Sequence, residues 1–282
     1  GWTYRKDWFD RPELQTEFMD TYGRALGVPA SLEELKDIAE FFQGRDIDGT
    51  TVYGAAIYTE RGSEGITMGV TNALYNYGFM YENPDKPYDL EGFVNSDGAI
   101  AGLEFYKELY DVGTPPGSSN WYMGENIDAY RSGQVAMQMN FAFIWPGVEA
   151  DANVGGGKSG YFPNPAGPAG QFAQLGGQGI SVVAASEKQD AALEYIQWFA
   201  QPQVQAKWWE LGGYSALKAV VEDPGFATSQ PYAQTFLDSM AIVKDFWAEP
   251  AYADLLLPMQ DRVHNFVVAG EGSAKEALDG LV

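Results

Sequence analysis

Cysteine is absent from the 282 residues, and histidine occurs once, as His264. Without thiols there is no disulfide, no thiolate metal site and no cysteine nucleophile. A single imidazole rules out multi-histidine metal centres and makes a Ser-His-Asp centre a poor reading. Basic side chains are scarce as well: 17 Lys and Arg stand against 39 Asp and Glu, a formal net charge of −22. That balance argues against nucleic acid, whose phosphates are bound by a positive surface, and against docking on anionic lipid. No stretch approaches the roughly 18 consecutive apolar residues that a membrane-spanning helix needs.

What is present is apolar and aromatic. Hydrophobic residues make up 45% of the chain, enough for one substantial core or two smaller ones. There are 8 Trp, 17 Tyr and 16 Phe, together with 33 Gly. Most of these rings fill the core. Those in glycine-flanked loops are suited to press flat faces toward a small ligand.

Gly1-Trp2-Thr3-Tyr4 reads as the tail of a strand, followed by the charged turn Arg5-Lys6-Asp7. Neither an initiator Met nor a signal-peptide pattern precedes it, so a processed or incomplete chain is expected. Ser31-Leu32-Glu33-Glu34 is a capping box that predicts a helix through Phe42, with Leu35, Ile38, Ala39 and Phe42 on one face. Residues 51–59 read as a strand, 96–110 as a helix, and Thr114 to Ser119 as a loop. After a short helix ending near Gly133, alternation over Val135 to Phe141 predicts a strand with one buried face. Residues 151–174 are rich in Gly, Pro and Ala, with Tyr161-Phe162 as their one strand core. Ile180 to Val183 reads as a further strand. A capping box at Ser186 predicts a helix burying Leu193, Ile196 and Phe199; Pro202 then opens another that closes at Gly212-Gly213. A third capping box starts at Ser273. Strands alternating with helices indicate an α/β protein.

Three segments mimic known sites without meeting their requirements. Asp46-Ile47-Asp48-Gly49 lacks the further acidic position and the closing Glu of a calcium loop, and reads as a polar turn. Gly155-Gly156-Gly157-Lys158-Ser159 has Ala152 where a phosphate loop needs its first Gly, and reads as a flexible linker. His264 lies among Val263, Phe266 and Val267 on a predicted helix, as a packed or surface histidine would. No spacing singles out the facing carboxylate pair of a glycosidase. No cofactor and no metal site is therefore expected.

The aromatic and glycine loops carry more. Asn120-Trp121-Tyr122, Phe143-Ile144-Trp145-Pro146, Gly176-Gly177-Gln178 and Gly213-Tyr214-Ser215 all fall at strand or helix ends. In open α/β sheets ligands bind in crevices beyond such ends. Aromatic faces suit the C–H faces of a pyranose ring. Four such loops without a catalytic constellation favour binding over catalysis.

Several segments, in order, resemble the carbohydrate-binding proteins of bacterial ABC importers, the extracellular solute-binding family that includes maltose-binding protein. Tyr4-Arg5-Lys6-Asp7-Trp8-Phe9 resembles the family's "YRKDLF" segment, and Ala101 to Tyr106 its "ALEFYKEL" helix. Tyr130 to Met137 is similar to "F-x-x-G-x-x-AM", Leu175-Gly176-Gly177 with Ile180 to "LGG…I", and Gly213 to Pro224 to "GY…-L-K-x-x-x-x-DP". The family's sequence ahead of "YRKDLF" has no counterpart, so a chain lacking the N-terminal part of the family is expected.

The resemblance implies a periplasmic-binding-protein-like fold of two α/β lobes with a hinge. Residues 1–174 with 243–282 would form the larger lobe and 175–242 the remainder of the N-terminal lobe, with hinge crossings near 174–181 and 240–248. It implies a monomeric, non-enzymatic receptor in the periplasm, or lipid-anchored outside a single-membrane bacterium, that closes on a sugar, oligosaccharide or polyol and delivers it to an ABC permease. Carried over, Phe143 and Trp145 match the sugar-stacking aromatic pair, and Trp121 the aromatic of the preceding loop. Gly176, Gly177 and Gln178 match the ligand-facing hinge loop, Tyr214 borders the cleft, and Glu64 takes the place of a polar sugar contact. The alternatives are a zwitterion or quaternary ammonium bound by the same fold, and a glycoside-processing enzyme.

Overall fold

In the computed structural model, which describes residues 1–282, strand β1 (Trp2–Arg5) passes directly into the short helix α1 (Lys6–Phe9). Where the sequence suggested a turn, Arg5 lays its guanidinium over the Trp8 ring and pairs with Asp7 at 2.6 Å. Helix α2 (Pro12–Tyr22) follows, and α3 (Leu32–Phe42) is the helix that the capping box predicted. Ser31 Oγ accepts from the Glu34 N–H at 3.2 Å, and the Glu34 carboxylate accepts from the Ala30 N–H at 2.7 Å. Strands β2 (Arg45–Ile47) and β3 (Thr50–Ala56) form a hairpin. Its turn is the Asp46–Gly49 segment: Asp48 and Gly49 both have positive φ, and Asp46 Oδ1 accepts from the Gly49 N–H.

Helices α4 (Gly65–Leu74), α5 (Asp97–Gly113) and α6 (Met123–Arg131) carry the crossover to β4 (Val135–Met139). A 3-10 turn at Ala142–Ile144 leads into α7 (Trp145–Glu149) and then β5 (Ser159–Phe162). The glycine run before β5 is a tight turn in which Lys158 Nζ donates to the carbonyls of Ala152 and Asn153. The remainder comprises β6 (Ala173–Gln174), α8 (Gln189–Phe199), α9 (Pro202–Glu210), α10 (Lys218–Val221), α11 (Ala233–Met240), β7 (Val243–Lys244), α12 (Tyr252–Val267) and α13 (Ala274–Asp279).

The main sheet has the order β2-β3-β4-β1-β5, with β3 parallel to β4 and β1 antiparallel to both its neighbours. The C-terminal ends of β3, β4 and β5 therefore meet at one edge, where Trp2 pairs with both Met139 and Phe162. All five residues of β4 are buried, not one face alone. The strand is central and carries an apolar layer on each side. The larger cluster joins Trp2, Met137 and Phe162 to α3, α4, α5 and α12; the smaller joins Ala56, Tyr130 and Trp145 to Trp209, Tyr232 and Phe236.

Two expectations fail in the stretch after β6. Ile180 to Val183 forms no strand, because no neighbouring strand offers it a ladder, and Ile180 and Val183 are exposed. Helix α8 buries no residue, although Leu193, Ile196 and Phe199 were expected inside. Its rings meet one another and Trp208 instead, as in the Tyr195–Phe199 stack at 6.2 Å. Residues 202–240, expected with the smaller lobe, pack through Trp209, Val220, Phe226 and Phe236 onto the layer around Trp145. The two segments expected as hinge crossings run side by side as the parallel pair β6–β7, Ala173 opposite Val243 and Gln174 opposite Lys244.

Candidate ligand-binding site

Beyond Ala56 the chain continues through Ile57, Tyr58, Thr59 and Glu60; beyond Met139 it continues through Asn140 to Phe143. These two tips lie side by side because β3 and β4 are parallel neighbours, the arrangement that opens a crevice at the carboxyl ends of strands. They are tied together. The Tyr58 hydroxyl donates to Asn140 Oδ1 at 2.8 Å. The N–H groups of Thr59 and Glu60 both donate to the Trp121 carbonyl, at 2.8 and 3.0 Å, and the Trp121 N–H donates to Thr59 Oγ1 at 2.8 Å. The loop before α6 is thereby fastened to the end of β3.

On this scaffold the rings form a layer. Tyr122 meets Tyr58 edge-on at 4.9 Å, and Phe141 lies 6.3 Å from Tyr58. The Tyr122 hydroxyl donates to Met68 Sδ at 3.1 Å. Burial pushes the Tyr58 phenol well above its ordinary range. Burial, then the nearby Glu64 and Glu60 carboxylates, raises that of Tyr122. Both phenols stay protonated at any physiological pH, so they serve as hydrogen-bond groups and aromatic surface and not as bases. No group of three His, Asp or Glu side chains is gathered to hold a metal ion.

The residues singled out from sequence divide between this layer and the interior. Phe143 is 56% exposed on the turn after β4. Trp121 is half-buried. Glu64 sits at the N-terminus of α4 with φ of 62°, and its N–H donates to Gln260 Oε1 at 3.1 Å. Gly176 lies against the Phe141 ring so closely that a Cβ there would come within 2.3 Å of Cδ1. Gly177 and Gln178 follow in the same exposed loop. Tyr214 joins from another element: its hydroxyl donates to the Ala142 carbonyl at 2.6 Å, while its ring packs on Phe236.

Trp145 does not belong with them. It is fully buried, 5.3 Å from Tyr161 and 5.9 Å from Tyr232, and offers no face to a ligand. Phe143 and Trp145 are two residues apart in a tight turn entering α7, where one side chain must point outward and the other inward. Sequence assigned both to the surface because it does not show which side of that turn the helix packs on. Conversely, Tyr58, Phe141 and Met68 border the layer and were not singled out. Their only sequence signal was position, just past the ends of β3 and β4 and one turn into α4.

The geometry agrees with what the chain resembles. A sequence profile described as bacterial extracellular solute-binding protein matches residues 1–235. The probable amino-acid ABC transporter periplasmic-binding protein y4oP of Sinorhizobium fredii is 27% identical over 141 residues, which cover 48% of this chain and 31% of that protein. Maltose-bound MalE3 of T. maritima superposes with a TM-score of 0.79 at 23% identity, over 99% of this chain and 68% of its own. A solute-binding protein from Agrobacterium radiobacter K84, in complex with ribitol, gives 0.75 at 22% identity, over 99% and 67%. One from Agrobacterium vitis S4 with bound D-mannitol gives 0.72 at 16% identity, over 99% and 68%. The match thus spans less than a third of the curated relative's length, while the solved structures share the fold of nearly the whole of this chain.

Proposed function

The chain belongs to the bacterial extracellular solute-binding proteins, and we propose that it captures a sugar, an oligosaccharide or a polyol for an ABC importer. The observation that carries this reading is the convergence of Trp121, Tyr122, Phe141, Phe143, Glu64 and Gly176 at the carboxyl ends of β3 and β4. Rings supply apolar faces for sugar C–H groups, and the carboxylate and the free backbone of the 176–178 loop supply hydrogen bonds. On this reading the protein is a receptor that returns its solute unchanged.

In the full protein a second lobe closes over this layer. The larger lobe holds residues 1–174 and 243–282 together with the packed stretch 202–240; residues around 175–200 belong to the smaller one. The exposed apolar side chains of α8, Leu193, Tyr195 and Trp198, would be covered within that smaller lobe. Hinge movement runs through β6 and β7. Solute favours the closed form only by its extra contacts there, and the closed form is what the permease engages. The receptor acts as a monomer outside the cytoplasm, in the periplasm or tethered by lipid in a single-membrane bacterium.

A solute bearing an amino or quaternary ammonium group is a second reading, favoured by one observation. Glu60 and Glu64 both lie near Tyr122, and no basic side chain is paired with either. Thermal melting of the full-length protein against sugars, polyols and quaternary ammonium compounds separates the readings. A solute at 100 times its Kd stabilises by about 2.7 kcal/mol, a shift of roughly 5–10 °C for a protein of this size. Shifts below about one degree with every sugar and polyol would sink the carbohydrate reading.

A further inference from the structure

The loops that carry the site are held from behind by one face of α12. Gln260 Oε1 accepts from the Glu64 N–H. One turn on, His264 Nδ1 accepts from the Arg61 guanidinium, whose Nη2 and Nε lie 3.1 and 3.3 Å away. Asn265 Oδ1 accepts from the same guanidinium. On the other side of the ring, His264 Nε2 lies 3.3 Å from the Ser119 carbonyl. Arg61 follows Glu60, and Ser119 precedes Trp121 by two residues, so the imidazole bridges the two loops that Trp121 and Thr59 already join.

Arg61 has no lone pair to offer, so Nδ1 must accept and Nε2 must carry the proton given to Ser119. That arrangement requires a neutral ring in one tautomer. We propose that His264 is a positioning residue for the solute-binding loops: neutral, it links Arg61 to Ser119; protonated, it drops Arg61 and loosens the loop of Glu60 and Glu64, so that solute capture weakens in acid. This rests on the receptor reading above.

The surrounding charges fit such a response. A second proton at Nδ1 would face the Arg61 cation directly. Asp261 lies 3.8 Å from Arg61 on the same helix and is exposed, so it offsets this only weakly. The loop 114–121 carries no charge, and neither does α4 itself. On the neighbouring α5, Lys107 is paired with Asp111, and on α13 Lys275 is paired with Asp279. Burial, and then Arg61, hold the imidazole below its ordinary pKa, against the opposing pull of the Ser119 hydrogen bond and Asp261.

His264 is the only histidine of the 282 residues, and its ring-nitrogen NMR signals in the full-length protein are identified by their loss in His264→Gln. The expected result at about pH 7.5 is a neutral ring protonated on Nε2; a proton on Nδ1, or a charged ring, overturns the proposal. The solute found by melting is then titrated at about pH 7.5 and about pH 5, with affinity falling about fivefold or more in acid. His264→Gln, which can still accept from Arg61 and donate to Ser119, should retain binding and lose that dependence; an unchanged profile refutes the positioning role. Should no solute bind, amide exchange of Thr59, Glu60 and Glu64 still tests the clamp. Protection, taken relative to the slower intrinsic exchange at low pH, that falls in acid in the natural protein and not in His264→Gln upholds it, and identical protection refutes it.

Discussion

The hydroxyl of Tyr214 donates a 2.6 Å hydrogen bond to the carbonyl of Ala142, the residue immediately before Phe143. Two segments more than seventy residues apart thus share one anchor. The exposed ring of Phe143 stands on a turn that the smaller apolar cluster holds from below. Removing the hydroxyl tests that anchor with little change of shape. Tyr214→Phe should lower stability by about 1 kcal/mol and weaken solute binding up to about fivefold. Calorimetric titration and thermal melting read both, and an unaltered affinity would mean the Phe143 turn needs no tether.

Phe143 and Trp145 should respond in opposite ways. Phe143→Ala removes exposed surface and should leave stability within about 0.5 kcal/mol of the natural protein while reducing affinity. Trp145→Ala opens a cavity between Tyr161 and Tyr232 and should cost about 3–5 kcal/mol of stability. Denaturant unfolding with parallel binding assays gives the comparison. A Trp145→Ala protein that is fully stable but binds nothing would reverse the assignment of the two rings.

The adjacent glycines Gly176 and Gly177 make a matched pair. A methyl group on Gly176 meets the Phe141 ring, whereas one on Gly177 meets open space. Gly176→Ala should displace Phe141 and cost about 1–3 kcal/mol, with a parallel loss of solute affinity. Gly177→Ala should be close to neutral. Equal effects of the two changes would show that this loop is not seated on Phe141.

His264 also imposes a pH dependence on stability whose sign is set by its depressed pKa. The unfolded chain takes up the proton at an ordinary histidine pKa of about 6.5, the folded chain only at lower pH. In that window the unfolded state binds more protons, so stability rises with pH. The contribution is fully present above the unfolded value and is lost as pH falls through the folded one. Denaturant midpoints measured from neutral to mildly acidic pH should fall more steeply for the natural protein than for His264→Gln. Superimposable curves would place the imidazole in an ordinary environment.

Much of the architecture was legible before any coordinates. Ser31 and Ser273 cap helices because a short hydroxyl next to an apolar stripe satisfies free N–H groups locally. Ser186, which reads as a third cap, does not, since α8 starts at Gln189 with Lys188 at its N-cap and no side-chain cap. Phe143 and the Gly176 loop are exposed, as glycine and aromatic residues clustered at element ends suggest, while Trp121 is half-buried against the smaller apolar cluster. Asp46–Gly49 reads as a polar turn and is the turn of the β2–β3 hairpin, whereas the glycine run before β5, which reads as a flexible linker, is a turn tied down by Lys158.

Other features depended on long-range packing, which no local window contains. Whether a strand is buried on one face or both depends on what covers it, and β4 looked amphipathic while lying between two layers. Helix α8 carries an apolar stripe that periodicity assigned to a core, yet none of its residues is buried. The same limit hid Trp145 and left Tyr58 and Phe141 unnoticed, because the sheet order β2-β3-β4-β1-β5 decides which loops become neighbours. Local hydrogen bonding and periodicity determined the elements and their caps; only the tertiary pairing of β3 with β4, and the placing of α12 behind their loops, decided which side chains form the site and which support it.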